Sequence, residues 1–386
     1  MKLLWEYPLP TDGKSIDSDY EGPIHVQGKY LYFISGHPGL HLHIIDTDTG
    51  KRVKVYELAP NATMLPSGCF FLPVGDDLLL YCRCLVLIRS GEIHRELPLP
   101  EKGRAVSHLV LGDRLYLVFT GTNAALMCVD MKKFHILWEM DLRGRPYEPG
   151  PVTVFGDKLA CFGQNKLLSI DPDTGAVLDE LTLPRIGKLF QPMDLGEGRL
   201  LLGYTNWSNA GVLCMDTATR KILWRHKRNF EGPQLRCRYW LQGDRVFWFK
   251  NDTEVCCVAL DDGAELYRLR TDPWLYSVPE FAPEGLIFGT AGGDGFLRCL
   301  DPKSGLERWK HPLKGGCVSY ARQNDSIFVG DYTCRLFRFR AHDGILLDSL
   351  DTGTEVVGQY YAHCGSLYTV IWGKEYTPCR LIRVEI

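Results

Sequence analysis

Apolar and polar positions alternate along this chain in short runs of four to eight residues, each run closed by turn residues. The stretch KLLSIDPDTGAVLDELTL, residues 166–183, shows the unit clearly. It reads as a strand from Leu167 to Ile170, a tight turn over Asp171-Pro172-Asp173-Thr174-Gly175, and a second strand from Ala176 to Leu183. The Asp171 side chain can accept from backbone amides two residues on, Pro172 presets φ, and Gly175 can take the positive φ that closes a hairpin.

The same pattern recurs. Hairpins are predicted over residues 41–58, 85–99, 125–142, 166–183, 212–227, 255–270, 296–313 and 335–350, eight complete copies. A second marker falls between them, a Gly or Asn turn followed by an apolar strand. It appears at Gly28, Gly75, Gly112, Gly156, Gly198, Gly243, Gly285, Asn324 and Gly365, about 42 residues apart on average. Each unit therefore carries about four short strands, and four-stranded units of this length in a long series predict a β-propeller. No segment keeps a long 3.6-residue apolar period, which excludes βαβ units and helical repeats. A β-sandwich would not need nine equivalent units.

Nine turn markers against eight hairpins leave one hairpin to be assembled from the chain ends. CRLIRVEI (379–386) resembles a first hairpin strand, and KLLWEYPLP (2–10) resembles a second. With Met1 following Ile386 in space, Trp5 falls where Trp138, Trp224 and Trp309 fall in their own units. The fold class predicted is thus all-β, a single closed propeller domain over residues 1–386. Its last blade is shared between N-terminal and C-terminal strands, which removes the free sheet edges. Nine blades is the favoured count, and eight with one degenerate unit is the alternative.

The spacing L-x-x-x-D-x-x-T-G-x-x-x-W now becomes visible, best in LRCLDPKSGLERW (297–309), and also in 213–224, 126–138 and 167–177. It resembles the repeat of PQQ-binding-like, quinoprotein-type β-propellers over nearly the whole chain, with Trp present in four units of nine. The resemblance implies that this outer-strand Trp docks between neighbouring blades. It bears on architecture and hardly at all on cofactor. Cys256-Cys257 resembles the vicinal disulfide that holds the quinone in some quinoprotein dehydrogenases. However, the pair lies in VCCVAL, a strand in which neighbours face opposite sides, and no Glu/Asn/Asp calcium set is recognisable. No cofactor is expected.

Composition narrows the function classes further. The hydrophobic fraction of 45% supplies a core, while 39 Gly and 22 Pro suit a chain of turns. A net charge of −3 gives no field for nucleic acid or an anionic membrane. No apolar run reaches signal-peptide or membrane-span length, so the expectation is a soluble cytoplasmic protein, monomeric on its own. The 14 cysteines, among them Cys128, Cys161, Cys214 and Cys299, show no recurrent close spacing and read as small buried hydrophobes in a reducing compartment. The sequons at Asn61, Asn206, Asn251 and Asn324 read as ordinary turns.

No catalytic constellation or metal set is recognisable. His41 and His43 share one strand face, yet no partner at metal-ligand spacing follows, so packing between blades is favoured. GTAGGDGF (289–296) is glycine-rich but joins two strands and opens no helix, so an inter-strand loop is expected. A different recurrence points to binding: YEGP, YEPGP and FEGP occur in three blade-to-blade loops, at Tyr20-Glu21, Tyr147-Glu148 and Phe230-Glu231. In a propeller such loops line one mouth of the central channel, so these residues predict an acidic, aromatic rim suited to a cationic ligand or a basic partner segment. The alternative is a repeat-derived turn in which Glu caps local amides. Trp207, Trp274, Tyr276, Tyr332 and Tyr376 are predicted on the same face, where Trp and Tyr serve as interaction hot spots. The function expected is a non-catalytic protein-binding scaffold, an adaptor or a toxin-neutralising protein. The alternative is a small-ligand binder or enzyme at the channel, quinone-dependent or a sugar lyase or hydrolase.

Overall fold

The computed structural model describes residues 1–9, 23–35, 40–59, 69–82, 84–100, 104–121, 123–142, 152–163, 166–183, 188–205, 209–229, 238–250, 254–271, 274–275, 279–317, 320–331, 333–353, 356–371 and 379–386. The turn chemistry explains how its strands arise. All nine inter-strand markers adopt positive φ, from Gly28 (58°) to Gly365 (72°), with Asn324 at 53°. In the hairpins, Asp171 Oδ1 accepts from the amides of Asp173 (2.7 Å) and Thr174 (2.9 Å). Asp301 does the same for Lys303 and Ser304. These backbone bonds hold the Asp46, Asp130, Asp171 and Asp216 carboxyls below their ordinary range. The aspartates are structural, as the sequence suggested.

Strands and turns assemble into nine four-stranded antiparallel sheets, a nine-bladed β-propeller. Blades 1 to 8 occupy residues 24–59, 70–98, 104–141, 153–182, 188–229, 238–270, 274–316 and 320–351. Blade 9 joins Val356–His363, Ser366–Ile371 and Arg380–Glu385 to the N-terminal strand Lys2–Pro8, which lies outermost. Its register pairs Trp5 with Arg383 and Tyr7 with Leu381. The closure blade inferred from the chain ends is therefore present, and the count is nine. In blade 7 the glycine run lies inside the 16-residue strand Gly285–Leu300. The chain folds back there, because Thr290 Oγ1 accepts from the Phe296 amide at 2.8 Å.

The blades fall into two compact units, residues 1–96 with 271–386, and residues 97–270. Within each unit the core lies between adjacent sheets. One layer joins Trp5, Tyr7, Leu9 and Leu381 of the closure blade to Ile24, Leu31 and Phe33 of blade 1. In the other unit, Leu201, Val212 and Cys214 of blade 5 meet Tyr239, Trp248 and Val258 of blade 6. Fully burying each such side chain contributes roughly 1.5–3 kcal/mol.

Four tryptophans fasten these layers. Trp5 Nε1 donates to Thr47 O (2.8 Å), Trp138 to Pro172 O (3.2 Å), Trp224 to Leu260 O (2.8 Å) and Trp309 to Ala341 O (3.0 Å). Each acceptor belongs to the next blade's hairpin turn. Each indole also covers that turn's glycine: a Cβ built on Gly50, Gly175, Gly263 or Gly344 would lie 2.5–2.6 Å from the ring. The docking role implied by the repeat resemblance is thus observed. In blade 1, Tyr30 covers Gly91 of blade 2 less tightly: a Cβ built there would lie 3.1 Å from its ring. Across the same hairpins, Trp138, Trp224, Tyr267 and Trp309 pair with Cys128, Cys214, Cys257 and Cys299, each just before a bulge. These cysteines are therefore periodic in register, each ten residues before its aromatic partner, a regularity the search for close cysteine spacings had passed over.

Candidate functional site

Of the residues predicted to form a binding rim, Tyr20, Glu21, Tyr147, Glu148, Phe230, Glu231, Trp207, Tyr276, Tyr332 and Tyr376 lie outside the described residues. Trp274 sits on the short strand Trp274–Leu275, which pairs with Ala291 and Thr290 of blade 7.

The histidine pair has a definite place. His43 lies in the third strand of blade 1, where Ser35 Oγ approaches its Nε2 at 2.8 Å and Tyr7 OH approaches its Nδ1 at 3.1 Å. This resembles a nucleophile-and-base pair, but Ser35 is 0% and His43 1% exposed, so no substrate reaches it. Burial lowers the His43 pKa to about 4, with the charges of His41 and Arg52 adding to the effect. Both ring nitrogens are already engaged, which leaves none for a metal. Packing between the closure blade and blade 1 is the role observed. No cluster of three or more His, Cys, Asp or Glu side chains fit to hold a metal ion occurs among the described residues.

Two further groups involve first strands of blades. His25 of blade 1 meets Tyr361 of blade 9 edge-on at 5.6 Å and Phe71 of blade 2 at 6.1 Å, with His363 beyond Tyr361. Burial, then the neighbouring His363, holds His25 below its ordinary pKa. In blades 7 and 8, Arg322 donates to both oxygens of Glu284 (2.8 and 3.0 Å). Burial raises the nearby Glu280 carboxyl. Both bonds come from Arg322 Nη2, a charge-assisted contact that ties the two blades together.

A basic edge lies in the other unit, with Asp216 and Glu254 on the neighbouring inner strands opposite Lys221 and Arg270. The outer strands Lys221–Asn229 of blade 5 and Glu265–Arg270 of blade 6 carry Lys221, Arg225, Lys227, Arg228, Arg268 and Arg270 against one carboxylate, Glu265. Glu265 is already saturated: Arg228 bonds its Oε2, Arg268 Nε lies 3.9 Å from Oε1, and His226 Nε2 lies 3.1 Å from Oε2. Trp248 Nε1 donates to His226 Nδ1 at 3.1 Å. Since an indole only donates, the His226 proton sits on Nε2, facing Glu265. Arg225 stacks on Tyr204 at 4.4 Å and donates to Tyr204 OH and Asn209 Oδ1. Lys221 and Lys227 make no ion pair among the described residues. Exposed Ile222, Leu223 and Leu266 lie between the cations. This edge was readable in the run WRHKR, whose charges resemble an ordinary solvated strand until the neighbouring outer strand adds Arg268 and Arg270.

Comparison with known proteins places the fold. BamB from Moraxella catarrhalis superposes with a TM-score of 0.52 at 14% identity, covering 82% of this chain and 96% of that one. Quinohemoprotein alcohol dehydrogenase from Comamonas testosteroni superposes with a TM-score of 0.54 at 13% identity, covering 99% and 76%. The quinohemoprotein alcohol dehydrogenase ADHIIG from Pseudomonas putida HK5 gives 0.52 at 12%, with the same coverage. At these identities the likeness is one of fold. No curated protein matches the sequence. The family model described as outer membrane protein assembly factor BamB matches twice, over residues 84–268 and 208–348. With those matches spanning more than half of its length, the chain belongs to this family of PQQ-like β-propeller repeats.

Proposed function

We propose that the protein is a non-catalytic, cytoplasmic protein-binding scaffold of the adaptor or toxin-neutralising kind. The observation that carries this reading is the contrast between its polar groups. The one serine–histidine pair described above is sealed, and the turn aspartates are spent on backbone amides. By contrast, the outer strands of blades 5 and 6 carry cations, among them Arg225 and Lys227, and three exposed apolar side chains, with Glu265 the one carboxylate on those two strands and already bonded. Such an edge offers free strand hydrogen-bonding groups together with charge, the combination used in strand addition by an extended acidic segment. Membership of a family described by an assembly factor supports the same reading. The buried cysteines facing the docked tryptophans act as hydrophobic filler, in keeping with a reducing compartment.

Cross-linked capture from the native host tests this, with the wild-type chain compared against the Arg225→Glu, Lys227→Glu double variant. The wild type is expected to retain one or a few proteins whose binding weakens in the variant and in high salt. Retention of no protein above background by the wild type would contradict the scaffold reading. Equal retention by both forms would move the site off this edge.

A further inference from the structure

Cys82 and Cys84 flank the tip of the hairpin between Asp77–Tyr81 and Cys84–Arg89 in blade 2. Their sulfurs lie 3.9 Å apart, and the Cys82 amide donates to Cys84 O at 3.0 Å, which holds the two residues face to face. Cys82 is buried, while Cys84 is half-buried and open to small reagents. We propose that Cys82 and Cys84 form a dithiol site that exchanges with small-molecule disulfides and closes to an intramolecular disulfide.

The sulfurs are in van der Waals contact, and bond formation at about 2.05 Å needs an approach of roughly 2 Å at a hairpin tip. The thiols are also unlike each other. The Cys82 thiol bonds Cys84 and holds it below its ordinary pKa, while Cys82 itself is pushed up by that bond and by burial. Elsewhere burial moves thiols only upward: Cys128, Cys257 and Cys299 to about 11, and Cys256 to about 12. A half-exposed thiol with a favoured thiolate is the nucleophile, and its buried neighbour is the resolving group.

With oxidised glutathione, the Cys84 thiolate attacks one sulfur, the glutathione S–S bond breaks, and one glutathione leaves as thiolate and takes a proton. Cys82 then loses its proton to water and attacks Cys84 Sγ in the mixed disulfide, releasing the second glutathione. Two protein thiols are oxidised and one glutathione disulfide is reduced, so the electrons balance. The adjacent Cys256-Cys257 pair cannot do this, because its side chains leave opposite faces of one strand.

The test treats the folded full chain with oxidised glutathione, quenches with acid, alkylates and maps peptides. Trypsin cuts after Arg83, between the two cysteines, so a bridge keeps the two fragments joined. The expected result is a loss of two alkylatable thiols at Cys82 and Cys84, reversed by dithiothreitol. Cys82→Ser should trap glutathione on Cys84, and Cys84→Ser should leave Cys82 free. Alkylation of both residues as complete as in untreated protein would overturn the proposal, as would a bridge from either to the nearby Cys69. The wild-type mapping distinguishes these outcomes even if a serine variant fails to fold.

Discussion

Acidification from pH 7 to pH 4 is expected to remove a large part of the folding stability, well before the turn carboxylates titrate. Burial holds His25, His43, His108, His226 and His311 below the ordinary imidazole pKa. A group with a depressed folded-state pKa is protonated first in the unfolded chain, so protons pull the equilibrium toward unfolding. The neutral-His contribution is complete above about pH 6.5 and is lost as pH falls toward each folded-state value. For His43, at about 4, the linkage amounts to about 3 kcal/mol. That is a sizeable share of a typical 5–15 kcal/mol total. Urea melts at intervals from pH 7.5 to pH 4 read the slope directly. His43→Gln keeps hydrogen-bonding capacity without titrating; it should lower stability at pH 7 and flatten the slope between pH 6.5 and pH 4. An unchanged slope in that variant would show that His43 does not carry the effect.

The second large effect is expected at the indole docks. Trp309→Ala should cost about 3–5 kcal/mol, since it empties a buried site and leaves Ala341 O without its donor. The partner position gives a sharper comparison. At Gly344 a Cβ would meet the Trp309 ring at 2.6 Å with φ at +70°, whereas at Gly112, with φ at +57°, nothing lies within 4 Å. Gly112→Ala bears only the left-handed backbone cost of about 1–2 kcal/mol. Gly344→Ala bears that cost and also displaces the indole. Chemical melts of the two alanine variants should therefore separate clearly, with Gly344→Ala the less stable. Equal losses would mean that the ring slides away freely and that the dock contributes little.

The features legible in the sequence were those written locally. Hairpin turns state themselves through Asp171 and Gly175, and three of the docked indoles through Trp138, Trp224 and Trp309, which follow their turns by a fixed interval. Even the closure blade could be assembled, because KLLWEYP repeats the outer-strand text of ILWEMDL. What stayed hidden depends on approach across blades. His43 meets Ser35 within its own hairpin, but it acquires Tyr7 only when the N-terminal strand lies beside blade 1, and no spacing within a hairpin encodes that. The Cys82–Cys84 pair is plain as C-x-C, yet it is masked by the many cysteines that serve only as filler. The tryptophan-facing cysteines do carry a sequence signal, since each precedes its aromatic partner by ten residues, but that interval shows only when the hairpins are set against one another. The aromatic and acidic loop residues expected to form a rim, apart from Trp274, fall outside the described residues.

The closure blade also sets a timetable for the newborn chain. Glu6 of its outermost strand is bonded to Arg380, 374 residues away. At ribosomal rates of about 5–20 residues per second, that partner emerges roughly 20–75 s later. Through that interval the N-terminal strand is an unpaired edge bearing Leu3, Leu4 and Trp5, open to whichever complementary strand arrives first. On a crowded message that strand can belong to a neighbouring nascent chain, whose own last blade wants the same segment. Fastening the fold with a strand made so long before its partner therefore opens a route to strand-exchanged dimers in which each blade is still completed.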